Sequence, residues 1–492
     1  MRFTAAVTCT FTTSIEKTRG TGVKTPFVKI GIVLDSPKRD LRGIALVAHE
    51  LLKRGAEVYV MPMYQHGHDV PLLAPDAVLV NYARPNNAPL LRMFHALGVR
   101  TMVCDTEGGV LSETGADAPP NWARQFKALG LSRCIDRYFF WGARLRDAFA
   151  AAGALAADAL EVTGCPRYDL CHSRWHALLD YPDRDFVLVN TNFSALNPKF
   201  GASADGEVRV FERMGWGRDY AHSLFKELQA VFPRYIEAIG RMAQRNPQRR
   251  FVVRPHPFED AGLYERKFAS LANVKVDGSG DVLNPISRAD CIVHLNCGTA
   301  VESLLLGRTP ISLEFLNTPV LRAHAPVPSA ISCPATSPED LDLLVSSHAA
   351  RAARWRRDEL FPVHIEPWFY RPDGRASERI ACSMMDAAGG GGRRARRSVS
   401  HSIRGGARWP GARRWLQGVV CNVAGSRAAE RLRSITNPAR SEKSVGPKEL
   451  MDLLNHYARC EAISARLHVE HARHPWTGLP LASLHARADM EK

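Results

Sequence analysis

The chain has 492 residues, 45% of them hydrophobic and 23% charged, enough apolar material for two full cores and a further segment. It contains no apolar run of about eighteen residues or more, which excludes a spanning helix of ordinary length. Its net charge of +15 is unevenly placed: Gly391 to Lys492 hold 19 Lys/Arg against 8 Asp/Glu, leaving 46 against 42 before them, so the folded body gives no charge argument for nucleic-acid binding.

Residues 1–26 read as a loose, Thr-rich leader whose apolar stretches are too broken for a secretory signal. The eleven cysteines include no Cys-x-x-Cys pair. Neither a zinc site nor a secreted disulfide framework is expected. Cys104, Cys291 and Cys297 lie in or beside strand-like runs and read as core residues of a reducing, cytoplasmic compartment.

A first α/β domain is expected over 27–180. The buried run Phe27 to Leu34 empties into Asp35-Ser36-Pro37-Lys38-Arg39-Asp40. An amphipathic helix follows, with Ile44, Val47, Ala48, Leu51 and Leu52 on one face and Gly55 as its stop. EVYVM (57–61), AVLVN (77–81) and RTMVC (100–104) continue the alternation, with a helix near Leu90–Leu97; YFFW (138–141) and LEVTG (160–164) add two more strands.

The strand-end loops Tyr82 to Asn87 and Asp105-Thr106-Glu107-Gly108-Gly109 should face a cleft. The second makes Asp105 and Glu107 the candidate reacting carboxylates. Two other readings of that loop remain open: a divalent-metal Asp-x-Glu motif, and a structural turn in which Asp105 caps a helix and the glycines supply φ > 0.

The second domain is expected over 181–388. It opens with DFVLVN (185–190), whose end presents Asn190 and Asn192, and continues with a helix from Ser223 to Ala243. FVVRP then leads to Arg254-Pro255-His256-Pro257, where two prolines fix the backbone around an imidazole and Arg254 adds positive charge. DCIVH runs into Asn296-Cys297-Gly298-Thr299, a turn that can open a helix with free N–H groups suited to phosphate; TPISL closes the unit. A helix near Pro338–Trp355 and a return segment over 362–386 complete the domain.

The Arg-Pro-His-Pro loop, the Thr299 turn about forty residues later and Glu302-x4-Gly307-x2-Pro310 together resemble the nucleotide-sugar half of GT-B glycosyltransferases. The likeness is to bacterial His-Pro families (sialyltransferases, Kdo transferases, glycerophosphotransferases) and, among these, to surface carbohydrate biosynthesis proteins. It implies two Rossmann-like doubly wound domains across a cleft, with His256 and Thr299 on the donor phosphate and Glu302 reaching the ribose. The donor implied is a nucleotide sugar, CMP-linked in many such families, used as substrate without cofactor or metal; the acceptor implied is a glycan or glycolipid.

The acidic loop is similar to those families' acidic-Gly motif, although Thr106 separates residues that are adjacent there, and either carboxylate could do the chemistry. Thr163-Gly164-Cys165-Pro166-Arg167-Tyr168-Asp169 resembles an element at the passage between the halves. A glycerophosphotransferase, a sugar-nucleotide epimerase and a non-catalytic scaffold stand as alternatives. The bland readings are that His-Pro merely ends a strand and that Glu302 is a solvated helix residue.

Beyond Gly389-Gly390-Gly391-Gly392, residues 389–492 read as a basic, largely flexible tail. Arg408-Trp409 and Arg413-Arg414-Trp415-Leu416 suit peripheral contact with the anionic inner face of a plasma membrane more than nucleic acid. One amphipathic helix is expected there, carrying Leu450, Leu453, Leu454, Tyr457 and Leu467.

Overall fold

The computed structural model describes residues 27–109, 112, 118–200, 217–390, 395–404, 412–436 and 442–490. The leader expected over 1–26 and the Arg408-Trp409 pair lie outside these residues.

The first domain is built on six parallel strands: β1 (Lys29–Leu34), β2 (Glu57–Pro62), β3 (Ala77–Val80), β4 (Arg100–Cys104), β5 (Arg137–Phe140) and β6 (Leu160–Val162). Their order is β2-β1-β3-β4-β5-β6. The interior strands are apolar almost throughout because helices cover both faces of a parallel sheet. Helix Pro37–Lys53 starts where Ser36 N–H donates to the Asp40 carboxylate at 3.1 Å, and the chain leaves it through Gly55 at φ 78°. Sequence periodicity missed the helix His66–Leu73, whose buried His66, His68 and Asp69 and internal Pro71 disguise it.

The second domain has six parallel strands: β7 (Val187–Asn190), β8 (Phe251–Arg254), β9 (Val274–Val276), β10 (Cys291–His294), β11 (Thr309–Leu313) and β12 (Cys333–Ala335). They are ordered β12-β11-β10-β7-β8-β9. β12 is an edge strand with Pro334 at its centre, which hid it among Pro-rich loops. The helix expected near Pro338–Trp355 is two helices, Pro338–Ser346 and His348–Arg354, because the Ser347 side chain accepts the Ala350 N–H and starts the second.

Helix Ala376–Gly389 returns to the first domain, where Ile380, Ala381 and Met384 join its core. The buried Asp169 carboxylate holds the start of that helix, accepting the Ala376 and Ser377 amides at 2.8 Å each. The first-domain core also takes in Leu283, Ala300, Val301 and Leu304 of the second domain, so the two halves share apolar packing beneath the cleft.

The expected flexible tail is corrected by the structure. Helices Ala412–Ala424, Ser426–Thr436 and Pro447–Cys460 pack beside the first domain, and the hairpin of β13 (Ala465–Arg473) and β14 (Pro480–Met490) extends its sheet. β14 pairs antiparallel with β2 through Leu484–Val60 and Ala486–Val58, covering an edge otherwise open to other chains. Leu450, Leu454 and Tyr457 are buried on the third helix as expected, but Leu467 belongs to β13. The composition looks disordered because most of the Arg residues precede the folded hairpin.

Candidate functional site

Both sheets reverse their winding direction once. In the first, β2 lies on one side of β1 and β3 on the other; in the second, β8 lies on one side of β7 and β10 on the other. Such a switch point leaves a crevice beyond the carboxyl ends of the strands. Contacts between the halves bring these ends together: Arg42 Nη1 donates to Asn284 Oδ1 at 3.0 Å, and Ser112 Oγ donates to the Ala323 carbonyl at 2.8 Å.

The crevice of the first domain is lined by Asp35, Asp40, Asn81, Asp105, Trp141 and Arg167, among others. Arg39 organises its mouth. Its guanidinium makes a bidentate bond to Asp40 at 2.7 and 2.9 Å, reaches Asp35 at 3.0 Å and lies 3.5 Å from Glu107.

The two carboxylates of the acidic loop have different surroundings. Asp105 is 2% exposed; Oδ1 accepts the Glu107 amide at 3.0 Å and the Arg84 guanidinium at 3.2 Å, while Oδ2 is buried without a partner. Burial pushes its pKa up to about 6, against the pull of Arg84. Glu107 is half exposed, with Arg84 at 3.7 Å and Arg39 at 3.5 Å. The Glu107 amide bond to Asp105 makes a local turn, but Asp105 caps no helix and neither Gly108 nor Gly109 has positive φ; Gly109 instead packs against Trp141 and Phe369 with no room for a Cβ.

Across the cleft, Thr191 ties the ends of β7 and β8 together. Its N–H donates to the Arg254 carbonyl, its Oγ1 accepts the His256 amide at 3.1 Å, and that hydroxyl donates to buried Glu259 at 2.7 Å. His256 Nδ1 accepts the Phe258 amide at 3.3 Å, which leaves the ring proton on Nε2. Burial lowers the His256 pKa to about 4; Arg39 acts the same way and Glu107 opposes it. The imidazole is therefore neutral at pH 7 and within electrostatic reach of the acidic loop.

At the switch point itself, Asn190 Nδ2 donates to Thr299 Oγ1 at 2.8 Å, and Asn190 Oδ1 is buried without a partner. Thr299 begins a helix of seven residues, Thr299–Leu305, with Gly298 before it. Exposed Asn192 lies 3.4 Å from the Asn296 carbonyl. Asn296 itself has φ 49°, a left-handed conformation that Asn tolerates. Its side chain is occupied by Asn317 at 2.8 Å and Ser329 at 2.7 Å.

Two expected donor-site residues have other partners. Arg254 gives its guanidinium to the Ser279 and Gly280 carbonyls, at 2.6 and 2.5 Å, and so braces the loop after β9. Glu302 is not solvated: it is 3% exposed, Oε1 lies 3.4 Å from Arg167 Nε, and Oε2 has no partner. This buried ion pair crosses between the halves, and it gives Arg167 of the Thr163–Asp169 element a concrete place at the passage.

Arg39, Arg84 and Lys443 were not singled out from sequence. Arg84 stands in a polar strand-end loop and Arg39 in the helical turn that follows another, which was a usable signal. Lys443 was not legible, because it comes from the C-terminal segment: its Nζ bonds Asp35 at 2.9 Å and lies 5.3 Å from the Phe258 ring centre, so it spans the mouth of the cleft. With Arg39, it holds the Asp35 carboxyl below its ordinary range although burial alone would raise it. Neighbouring Glu442 bonds Lys199 and lies 3.8 Å from Lys38.

Among the described residues one group resembles a metal-ligand set, His49, Glu50 and Glu461, outside the cleft. Lys53 lies between its carboxylates, at 3.0 and 2.8 Å. No helix of the described residues is long and apolar enough to cross a membrane.

No protein-family model matches the chain, and no curated protein matches it in sequence. Solved structures similar to it include a UDP-N-acetylglucosamine 2-epimerase described for Listeria monocytogenes, at 13% identity and TM-score 0.48, over 75% of this chain and 98% of that one. A second is the UDP-GlcNAc 2-epimerase of Neisseria meningitidis bound to UDP-GlcNAc, at 14% identity and TM-score 0.43, over 73% and 100%. A third is the wall teichoic acid polymerase TagF, at 11% identity and TM-score 0.44, over 73% and 89%. Likenesses at this level carry no argument about what the chain does; the pair of doubly wound parallel sheets stands on its own strand order.

Proposed function

We propose that the chain is a glycosyltransferase that moves a sugar from a nucleotide-linked donor to a glycan or glycolipid acceptor of the cell surface. The observation that carries this reading is the opposition of two switch-point crevices, one holding a carboxyl with a raised pKa and the other a neutral imidazole beside the Asn190–Thr299 pair. Asp105 is the base: its unpartnered Oδ2 takes the acceptor hydroxyl proton as the acceptor oxygen bonds to the sugar carbon and the bond to the donor phosphate breaks. His256 donates from Nε2 to the departing phosphate, with Thr299 and the start of its helix beside it, and needs no charge of its own to do so. Glu107 keeps Arg39 and Arg84 in place around the base. The resemblance to His-Pro families favours a CMP-linked donor.

A thermal-shift panel of CMP, CDP, UDP and GDP tests the donor class. One nucleotide should raise the melting temperature of the wild type and not of His256→Ala. His256→Ala should also lose most transfer activity with its own melting temperature unchanged; undiminished turnover would remove the site.

A second reading, a sugar-nucleotide epimerase, is favoured by one observation: Lys443 and Glu442 cross the cleft mouth, which suits a substrate that reacts without an acceptor. Product analysis separates the two, because an epimerase converts the donor alone.

A further inference from the structure

Among the described residues, five of the eleven large apolar side chains with exposed surface lie in the C-terminal segment, between Val420 and Trp476. They are Val420, Val423, Leu432, Ile435 and Trp476, and the last four are 72%, 61%, 78% and 55% exposed. Helices Ala412–Ala424 and Ser426–Thr436 pack on each other around Gly425, whose φ of 79° and close approach to the Pro480 carbonyl leave no place for a Cβ. Val420 with Val423 and Leu432 with Ile435 are spaced by three residues, so each pair shares one helix face. The turn between β13 and β14 joins them, because His474 Nε2 bonds Asn422 Oδ1 at 3.0 Å and the His474 ring lies tilted beside Trp476, centres 5.6 Å apart.

The sequence of this segment carries charge almost entirely of one sign. Residues 391–440 contain twelve Arg, one Glu, and neither Asp nor Lys. That Glu430 is buried and bonded to Gln65. Arg427 and Arg431 stand one turn apart, a repulsive spacing, and no carboxylate pairs with either among the described residues.

We propose that this face docks on an anionic lipid bilayer, with Trp476, Val423, Leu432 and Ile435 entering the headgroup boundary and Arg427 and Arg431 meeting lipid phosphates. An interfacial helix pair with apolar residues flanked by unpaired cations has the composition such binding requires. A nucleic acid would answer the arginines but leave the four apolar side chains wet. A second copy would answer the apolar side chains but bring two basic faces together. The proposal is independent of the chemistry assigned to the cleft.

The test is flotation of the full chain with vesicles of phosphatidylcholine, alone or mixed with phosphatidylglycerol. Wild type should float with the mixed vesicles, less so as salt rises, and remain behind with phosphatidylcholine alone. Arg427→Gln with Arg431→Gln should weaken partition about 30-fold, from about fivefold for each arginine. Val423→Ser, Leu432→Ser, Ile435→Ser and Trp476→Ser together should weaken it by about tenfold or more at an unchanged melting temperature. If that variant does not fold, Ile435→Ser alone should weaken it about threefold. Equal binding to both vesicles, or apolar variants that bind as wild type, overturns the proposal. So does a chain that ignores vesicles while binding a single-stranded oligonucleotide, or while forming a dimer that the serine variants dissociate.

Discussion

Asp105→Asn should stabilise the protein while abolishing its reaction, and the gain should depend on pH. In the fold the carboxyl titrates near 6 instead of its ordinary 3.8, because burial outweighs Arg84. The folded chain thus holds this proton more tightly than the unfolded one. The stability linked to the group is fully present below about pH 4 and is lost as pH rises through about 6. A displacement of about two units at 1.36 kcal/mol each makes the ionised side chain cost about 3 kcal/mol at pH 8. The group is almost wholly buried, so solvent screening removes little of this.

Asn keeps an oxygen that can accept the Glu107 amide and the Arg84 guanidinium, and it removes the charge. Urea unfolding should therefore give nearly equal stability for variant and wild type at pH 4, and up to about 3 kcal/mol more for the variant at pH 8. Transfer should be lost at both, since an amide cannot accept the acceptor proton. A variant destabilised alike at both pH values would refute the raised pKa, and an active variant would refute the base.

Arg167→Met should destabilise by about 3–5 kcal/mol because it leaves Glu302 buried beside an apolar stem, and adding Glu302→Leu should recover most of the loss; a double-mutant cycle in urea measures the coupling. Gly43→Ala should cost about 1–3 kcal/mol despite the better helix propensity of Ala, since the new Cβ would sit 2.8 Å from the Arg167 backbone nitrogen; a melting curve reads it. Removing residues 465–492 should uncover the β2 edge and turn a monodisperse chain into aggregates on size-exclusion chromatography. Lys443→Ala should leave the fold intact and raise the Asp35 pKa, visible by NMR titration, because its partner across the mouth is gone.

Strand-end chemistry was legible locally because it depends on neighbours in sequence. Buried β-branched runs followed by Asp105-Thr106-Glu107 or Pro255-His256 announce parallel strands and the loops beyond them, and periods of two and 3.6 residues separate strand from helix. The helix His66–Leu73 escaped this logic, as its polar residues are buried by partners far along the chain: Asp69 is met by Ser483, 414 residues later.

The amino-acid order by itself determined two alternating α/β halves, their principal strands, and an acidic and a His-Pro loop at strand ends. Only the tertiary structure decided that Asp105 is buried and Glu107 is not, that Arg254 braces a loop, that Glu302 pairs with Arg167, and that the basic segment folds onto the first sheet. These are matters of burial and long-range pairing. A carboxyl's proton affinity and a guanidinium's partner are set by which distant groups exclude water from it, and no local pattern encodes that.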